Sequence, residues 1–161
     1  MLSVESSRLF VMYDFENSQP GDHFFEWPQH LTITPLFVHK DVERAVVINH
    51  IKDTLSSVSP FHIEVGDDAL LGPNNNRPAT LIVDQTGSLR ELHTSLIKGL
   101  GSLGCQFESL EFCLENYLPH VRQKRTDLLT SQPHLVSSAT IAEKLPKIFH
   151  MHKKILKKID L

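Results

Sequence analysis

The region from Ser88 to Gly104 constrains the fold most, because its periodicity is the clearest in the sequence. Ser88 and Glu91 form the S-x-x-E pattern of a capping box, and Gly104 stands where a C-terminal cap glycine belongs. Five leucines between them recur at helical spacing: Leu89, Leu92, Leu96, Leu100 and Leu103. This pattern predicts a helix, and the segments on either side of it must supply what the helix packs against.

The flanking segments predict mostly strands. Alternating or apolar stretches bounded by turn residues are typical of strands, and they occur at 8–15, 30–38, 60–72, 79–83, 119–125, 135–142 and 148–159. Pro35 makes the second of them an edge or irregular strand. A first helix is expected from Asp41, as its cap, to Ser57, with the apolar stripe Val47, Ile48, Ile51 and Leu55.

The order of these elements predicts an α+β fold. Two portions of similar build follow each other, and each contains a helix and a strand that begins with histidine. No low-complexity segment or linker separates them. We therefore expect one bilobal α+β domain over residues 1–161.

Composition excludes several classes of protein. The chain has 161 residues, of which 40% are hydrophobic, as in an ordinary globular protein. No apolar run approaches the length of a membrane span, and no signal peptide is visible. Only two cysteines occur, Cys105 and Cys113, and they lack a CxxC spacing. We expect reduced thiols in a cytoplasmic protein that does not bind membranes.

Charge is distributed unevenly along the chain. Residues 120–161 contain nine Lys/Arg and three Asp/Glu, a balance of +6, whereas residues 1–119 have a balance of −9, which together give the net charge of −3. A basic C-terminal quarter favours a local anionic partner over a nucleic-acid coat on the whole surface. The alternative is that these lysines form a solvated strand face.

Two related pentapeptides contain the candidate functional residues of the sequence. The first is PQHLT and ends at Thr32, and the second is LPHVR and ends at Arg122. Residues i and i+2 of a strand share a face, so His30 projects with Thr32, and His120 projects with Arg122. Histidine suits acid or base work near neutral pH, and a hydroxyl or a guanidinium can hold a phosphate oxygen.

These motifs resemble those of the 2H phosphoesterases, a family that includes RNA 2′-5′ ligase-like proteins and 2′,3′-cyclic nucleotide phosphodiesterases. The family is named for two H-x-[ST] motifs on two lobes, and here they stand as QHLTI and PHVRQ. The stretch VGDDALLGPNNNRPATLIV also looks like the family's glycine-marked hairpin into the second lobe. The resemblance implies two antiparallel-sheet lobes, each with a packed helix, around a central cleft.

The resemblance also implies a metal-independent phosphodiesterase that needs no cofactor. The substrate would be a 2′,3′-cyclic phosphate or a 2′-5′ linkage, on RNA ends or small nucleotides. The catalytic pair would be His30 and His120, with His120 expected as the base and His30 as the acid. Thr32 and Arg122 would bind substrate. We expect a monomer without an obligate protein partner.

Two departures from the family pattern bear on activity. Arg122 stands where the family normally has Thr or Ser, which leaves open a degenerate module that binds RNA ends or nucleotides without turnover. The segment before His30 is short and predicts no helix at the rim of the cleft. A plain interaction domain, in which neither histidine acts, is the remaining alternative.

Three further histidines need an assignment. His93-Thr94-Ser95 matches H-x-S literally, but it lies inside the leucine-periodic helix, where i and i+2 do not share a face. We therefore expect His93 to be a packing or surface residue of that helix. His150 and His152 would share one strand face and could bind a metal, but no third ligand is evident, so no metal site is predicted.

Overall fold

The structure of the protein, a computed structural model, describes residues 7–146 and 151–161. This part of the chain forms eleven strands, two α-helices and three short 3₁₀ helices. In chain order the strands and α-helices are β1 (Arg8–Asp14), β2 (His23–Phe24), β3 (His30–Thr32), β4 (Phe37–Val38), α1 (Arg44–Ser56), β5 (Phe61–Leu71), β6 (Arg77–Val83), α2 (Ser88–Ser102), β7 (Gln106–Phe107), β8 (His120–Arg122), β9 (His134–Val136), β10 (Ser138–Lys144) and β11 (Lys153–Asp160). Neither helix is long and apolar enough to cross a membrane.

The strands form two antiparallel lobes that meet at one seam. They hydrogen-bond in the order β2-β11-β10-β1-β3-β8-β6-β5-β9, while β4 pairs with both β1 and β7. The first lobe consists of β1–β4, β7, β10 and β11, and the second consists of β5, β6, β8 and β9. The seam is the pairing of β3 with β8. This is the α+β architecture, with two sheet lobes and two helices, that the sequence predicts.

One hydrophobic cluster holds the lobes and both helices together. It includes Val47, Ile51 and Leu55 of α1 and the leucines at 89, 92, 96 and 100 of α2. The two apolar stripes read from the sequence are therefore the buried faces of the helices. Leu31 and Val121, the paired residues of the seam, are fully buried in the same cluster. The strands that carry His30 and His120 are thus held in place by the burial of their central residues in the core.

The ends of the helices differ from the prediction. Gly87, rather than Ser88, is the N-cap of α2, and its φ is 76°. The carboxylate of Asp84, outside the helix, accepts a hydrogen bond from the Arg90 amide in its first turn (2.9 Å). The amide of Glu91 donates to the Gly87 carbonyl, so no capping box forms. Asp41 does not cap α1 either, because the helix begins after Glu43. Gly104, with φ of 99°, does follow the C-terminus of α2, as predicted.

Two predicted strands are broken. Thr34 interrupts the segment 30–38: its hydroxyl accepts a hydrogen bond from the Val11 amide (3.0 Å), and Pro35 then has no N–H to donate. The amides of Ile33 and Thr34 both donate to the carbonyl of Val11, which ends the regular ladder. After β8 the amide of Lys124 donates to the Arg122 carbonyl (3.0 Å), so the chain turns instead of continuing to residue 125.

The predicted segment 135–142 is two strands on different lobes. β9 pairs with β5 in the second lobe, and β10 pairs with β1 and β11 in the first. The last predicted segment corresponds to β11, and its residues 148–150 lie outside the described part of the chain. Between β1 and β3 only the two-residue strand β2 occurs, in agreement with the expected absence of a helix there.

Candidate active site at the seam between the lobes

The seam places four polar side chains on one face of the sheet. Leu31 of β3 pairs with Val121 of β8, and both point into the core. Because side chains alternate along a strand, the residues that flank this pair project to the opposite face. They are His30, Thr32, His120 and Arg122.

These side chains line a small cavity, which we call the histidine pocket. Its volume is about 100 Å³, which suits a phosphate group rather than a whole nucleotide. Its lining residues are Pro28, Gln29, His30, Thr32, His120, Arg122 and Lys124. The structure therefore brings together all four residues that the sequence proposes for the site.

Both imidazoles are oriented by the same local hydrogen bond. Nδ1 of His30 donates to the carbonyl of Pro28 (2.7 Å), and Nδ1 of His120 donates to the carbonyl of Leu118 (2.8 Å). In each case the acceptor lies two residues earlier. A neutral imidazole that donates from Nδ1 has its lone pair on Nε2. No described residue hydrogen-bonds to Nε2 of either ring, so both nitrogens can exchange protons with a ligand.

The surroundings of His30 favour its neutral form. Burial lowers the pKa of His30 below its usual 6.5, because it penalises the charged ring. The hydrogen bond to Pro28 and the nearby carboxylate of Asp14 oppose this shift, while the positive charges of Lys124 and Arg122 add to it. At neutral pH the free protein therefore presents His30 as a proton acceptor.

Cations surround the mouth of the histidine pocket. The guanidinium of Arg122 makes no hydrogen bond or ion pair with a described residue. Lys124 donates to the carbonyl of Trp27 (3.3 Å) and lies 3.5 Å from the exposed carboxylate of Glu26. Lys153 adds a third positive charge near these two. Its pKa is lowered by burial first, and then by the charges of Lys144, Lys124 and Arg122. The field at the pocket therefore favours an anion.

Gln29 joins the two halves of the site. Its side chain is buried, and its amide nitrogen donates to the carbonyl of Arg122 (2.6 Å). Its amide oxygen accepts from the backbone N–H groups of Lys124 (3.3 Å) and Arg125 (2.8 Å). The segment before β3 thereby fixes the turn after β8, which positions Arg122 and Lys124.

Thr32 is positioned from beneath through its backbone. The hydroxyl of Tyr117 donates to the carbonyl of Thr32 (2.8 Å). The ring of Tyr117 stacks on His93 of α2, with centroids 3.8 Å apart and the planes within 4°. His93 is fully buried, and its Nδ1 donates to the carbonyl of Ile33 (2.6 Å). It is thus the packing residue that its place in the helix suggests.

Comparison with known proteins gives a family match over most of the chain. The sequence profile of the 2′-5′ RNA ligase superfamily matches residues 11–149. The chain belongs to this superfamily. No curated protein matches the sequence. The superfamily assignment confirms the family that the two histidine motifs resemble, and with it the 2H phosphoesterase fold.

Solved structures share that fold over nearly the whole chain. A crystal structure of a phosphoesterase aligns with a TM-score of 0.63 and 17% identity, covering 98% of this chain and 99% of that chain. E. coli LigT complexed with NADP+ aligns at 0.64 and 15%, covering 98% of each chain. E. coli LigT complexed with 3′-AMP aligns at 0.62 and 12%, covering 98% of this chain and 99% of that one.

Three residues that line the histidine pocket are not predicted from the sequence: Pro28, Gln29 and Lys124. Pro28 and Gln29 lie within or beside the first motif, and Lys124 lies in a segment read as a continuing strand. The polar Gln29 next to His30 was the available signal, because strand alternation places it on the buried side. A metal site at His150 and His152 falls partly outside the described residues, since His150 is not described. Among the described residues, no group of three or more His, Cys, Asp or Glu side chains could hold a metal ion.

Proposed function

We propose that the histidine pocket hydrolyses 2′,3′-cyclic phosphates or 2′-5′ linkages on RNA ends or small nucleotides, without a metal ion. The observation that supports this most is the matched pair of imidazoles, each with Nδ1 held by a carbonyl two residues earlier, which line one phosphate-sized cavity. Superfamily membership and the LigT complexes with nucleotides support the same chemical class.

The two rings fit complementary roles in ring opening. In this proposal water attacks phosphorus while one Nε2 takes its proton, and the other ring protonates the ribose oxygen whose bond to phosphorus breaks. In this proposal His30, whose pKa is lowered by burial, is the base. His120 is the acid and enters the step with a proton on Nε2 as well as on Nδ1, which is the reverse of the assignment expected from the sequence. The products are a phosphomonoester and a free hydroxyl, and solvent returns both rings to their starting states.

Thr32 and Arg122 complete the proposed site. The Thr32 hydroxyl would donate to a non-bridging oxygen, and the Arg122 guanidinium would neutralise charge on the phosphoryl group. We further propose that the protein acts as a cytoplasmic monomer without an obligate protein partner. Its two cysteines are free and buried, which fits a reducing compartment.

The second candidate is a degenerate module that binds the same ligands without turnover. The observation that favours it is Arg122, which replaces the hydroxyl of the second motif with a long cation. A charge that contacts ground and transition states equally tightens binding without raising turnover.

Histidine variants test the proposal and separate it from the second candidate. Each of His30→Ala and His120→Ala should reduce hydrolysis of a 2′,3′-cyclic nucleotide by about 10²–10⁴-fold, because each removes one proton-transfer group. Product affinity should change far less. His62→Ala is the matched control, because His62 is exposed on β5. Tight product binding by a wild-type protein that shows no turnover would instead identify the binding module.

A further inference from the structure

A second basic depression adjoins the histidine pocket. We call it the arginine groove, and its lining residues are Asn76, Arg77, Pro78, Arg122, Gln123 and Lys124. It has a volume of about 360 Å³ and shares Arg122 and Lys124 with the histidine pocket. None of the residues that line it is acidic. A ligand with two anionic groups could therefore place one in each cavity, and both groups would have cations beside them.

Strand pairing places Arg77 on the same face as the catalytic histidine of the second lobe. In the β6–β8 register, Leu81 pairs with His120 and Ala79 pairs with Arg122. Paired residues share a face, and so do residues i and i+2, so Arg77 lies on this face one pleat beyond Arg122. That step is about 6.6 Å along the strand.

The small side chain of Ala79 leaves room between the two guanidinium groups. Ala79 is buried and pairs with Arg122, so its methyl group does not project between the two arginines. The wall is fixed by Gln123, whose amide nitrogen donates to the Ala79 carbonyl (3.2 Å) and to the Thr80 hydroxyl (3.3 Å).

The guanidinium groups are available for a ligand. Arg77 and Arg122 are exposed, and neither makes a hydrogen bond or ion pair with a described residue. Most other arginines of the described chain are engaged, as Arg44 is with Glu143 and Arg90 is with the carbonyls of Leu114 and Tyr117. Two unengaged guanidinium forks beside a phosphate-sized cavity match a second phosphate.

We propose that the arginine groove binds a second phosphate of the substrate, on the 5′ oxygen of the reacting nucleotide. This inference rests on the proposed function and extends it to the substrate class. The reacting phosphate occupies the histidine pocket, and the 5′ phosphate lies beside Arg77. The ribose between them lies over Arg122, which lines both cavities. Either the phosphodiester of a preceding nucleotide or a terminal 5′-phosphate supplies this group.

Three substrates of graded structure test the groove. They are adenosine 2′,3′-cyclic phosphate, its 5′-phosphorylated form and the dinucleotide ApA that ends in the same cyclic phosphate. Wild type should have a higher kcat/KM for a substrate with a 5′ phosphate than for the first. Arg77→Gln should lower kcat/KM for the substrate whose 5′ phosphate binds in the groove by about threefold to tenfold. The measurement is made at low ionic strength, because the Arg77 side chain is exposed and salt screens its attraction for the phosphate. The substitution should leave kcat/KM for the first substrate unchanged, because Arg77 does not line the histidine pocket.

The pattern of losses identifies the source of the phosphate. A loss confined to the dinucleotide indicates a preceding nucleotide, and a loss confined to the 5′-phosphorylated mononucleotide indicates a terminal phosphate. Lys52→Gln, which removes an exposed cation from α1, is the matched control and should alter none of the rates. Equal rates of wild type and Arg77→Gln on all three substrates would overturn the proposal.

Binding of phosphomonoesters that cannot be hydrolysed in this way separates the inference from the proposed function. The affinities of ApA 3′-phosphate and adenosine 3′-phosphate can be measured by calorimetry whether or not the protein is an enzyme. Wild type should bind the dinucleotide more tightly, and Arg77→Gln should bind the two ligands equally. For the dinucleotide, the substitution should reduce the magnitude of the slope of log affinity against log salt by about 0.7, because one phosphate contact is lost. An Arg77-dependent preference without hydrolysis would refute the proposed function alone. Hydrolysis without such a preference would refute the groove alone.

Discussion

Arg122 takes part in both the proposed reaction and the proposed binding of a second phosphate. It lines both the histidine pocket and the arginine groove, and its charge contributes to the lowered pKa of His30. Its backbone carbonyl is held by Gln29 (2.6 Å), so the start of the side chain is fixed while its end remains exposed. An anchored backbone and an exposed guanidinium suit a residue that contacts a phosphoryl group.

Arg122→Thr should weaken product binding and lower turnover together. The substitution restores the hydroxyl typical of the family motif but removes the cation from the pocket. An exposed guanidinium–phosphate contact is worth about 1 kcal/mol, so a loss of roughly fivefold in product affinity is expected. The pKa of His30 should also rise, because one nearby positive charge is gone. Calorimetry, steady-state kinetics and an NMR titration of the His30 ring measure the three effects.

A different combination would support the binding module. Turnover that stays constant or increases in Arg122→Thr, while affinity falls, would mean that Arg122 contacts ground and transition states equally. If neither Arg122→Thr nor His120→Ala altered binding or rate, these residues would not be at a phosphate site, and both candidate functions would be refuted.

At the scale of single elements, α2 supports the floor of the site through His93. Its Nδ1 donates to the Ile33 carbonyl (2.6 Å), and its Nε2 accepts from the Leu114 amide (2.9 Å). The ring also stacks on Tyr117, whose hydroxyl holds Thr32. One buried imidazole therefore ties the helix to the end of β3 and to the loop that precedes β8.

His93→Leu should destabilise the protein strongly. It leaves the buried carbonyl of Ile33 and the amide of Leu114 without their partner, at about 1–3 kcal/mol for each group. The free energy of unfolding, measured with urea, should therefore fall by about 2–6 kcal/mol. His62→Leu, on the exposed face of β5, should change it by less than about 0.5 kcal/mol. Equal effects of the two substitutions would refute the bridging role of His93.

The elements that sequence reasoning predicts best are those with a strong apolar period. The stripes of α1 and α2 identify their buried faces because burial of those faces is what holds each helix in place. The helix ends are predicted less well, since Ser88 matches a capping box while the chain uses Gly87 in a left-handed conformation. A cap depends on the path by which the chain enters the helix, and local residue types do not specify that path.

Within the site, local alternation predicts some residues and cross-lobe contacts decide the others. His30, Thr32, His120 and Arg122 could be placed together because two short strands with a buried central residue leave no other face for them. Lys124 lies at the pocket in a turn that is held by Gln29, which lies 95 residues earlier in the sequence. Such a contact depends on how the lobes dock, and no periodicity in either segment indicates it.

At the scale of the whole molecule, we expect hydrolysis to be independent of divalent metals. The proposed reaction uses two imidazoles and phosphate-binding side chains, which supply proton transfer and charge neutralisation. Turnover should therefore be unchanged after prolonged dialysis against a strong chelator, measured with the same cyclic nucleotide. Loss of turnover that added zinc or manganese restores would contradict this and would direct attention to His150 and His152.

The stability of the whole fold should fall as the pH drops below neutrality. His30 and His93 both have a pKa lowered chiefly by burial, whereas in the unfolded chain each titrates near 6.5. Below that pH the unfolded state binds protons that the folded state does not, so acid favours unfolding. The two histidines thus stabilise the fold fully above about pH 7.5, and this contribution is lost as the pH falls through 6.5 toward their folded values.

Urea unfolding at pH values from about 5 to 7.5 measures this dependence, in a window above the ordinary carboxylate pKa values. The free energy of unfolding of wild type should decrease steadily toward pH 5. His30→Ala should show a smaller decrease, because one of the two groups no longer titrates, whereas His62→Ala should retain the full decrease, since its side chain is exposed on β5. A wild-type stability that stays constant or increases toward pH 5 would show that neither imidazole is held neutral by the fold. It would also remove the reason for assigning His30 as the base, because that role depends on a ring that is unprotonated when substrate arrives.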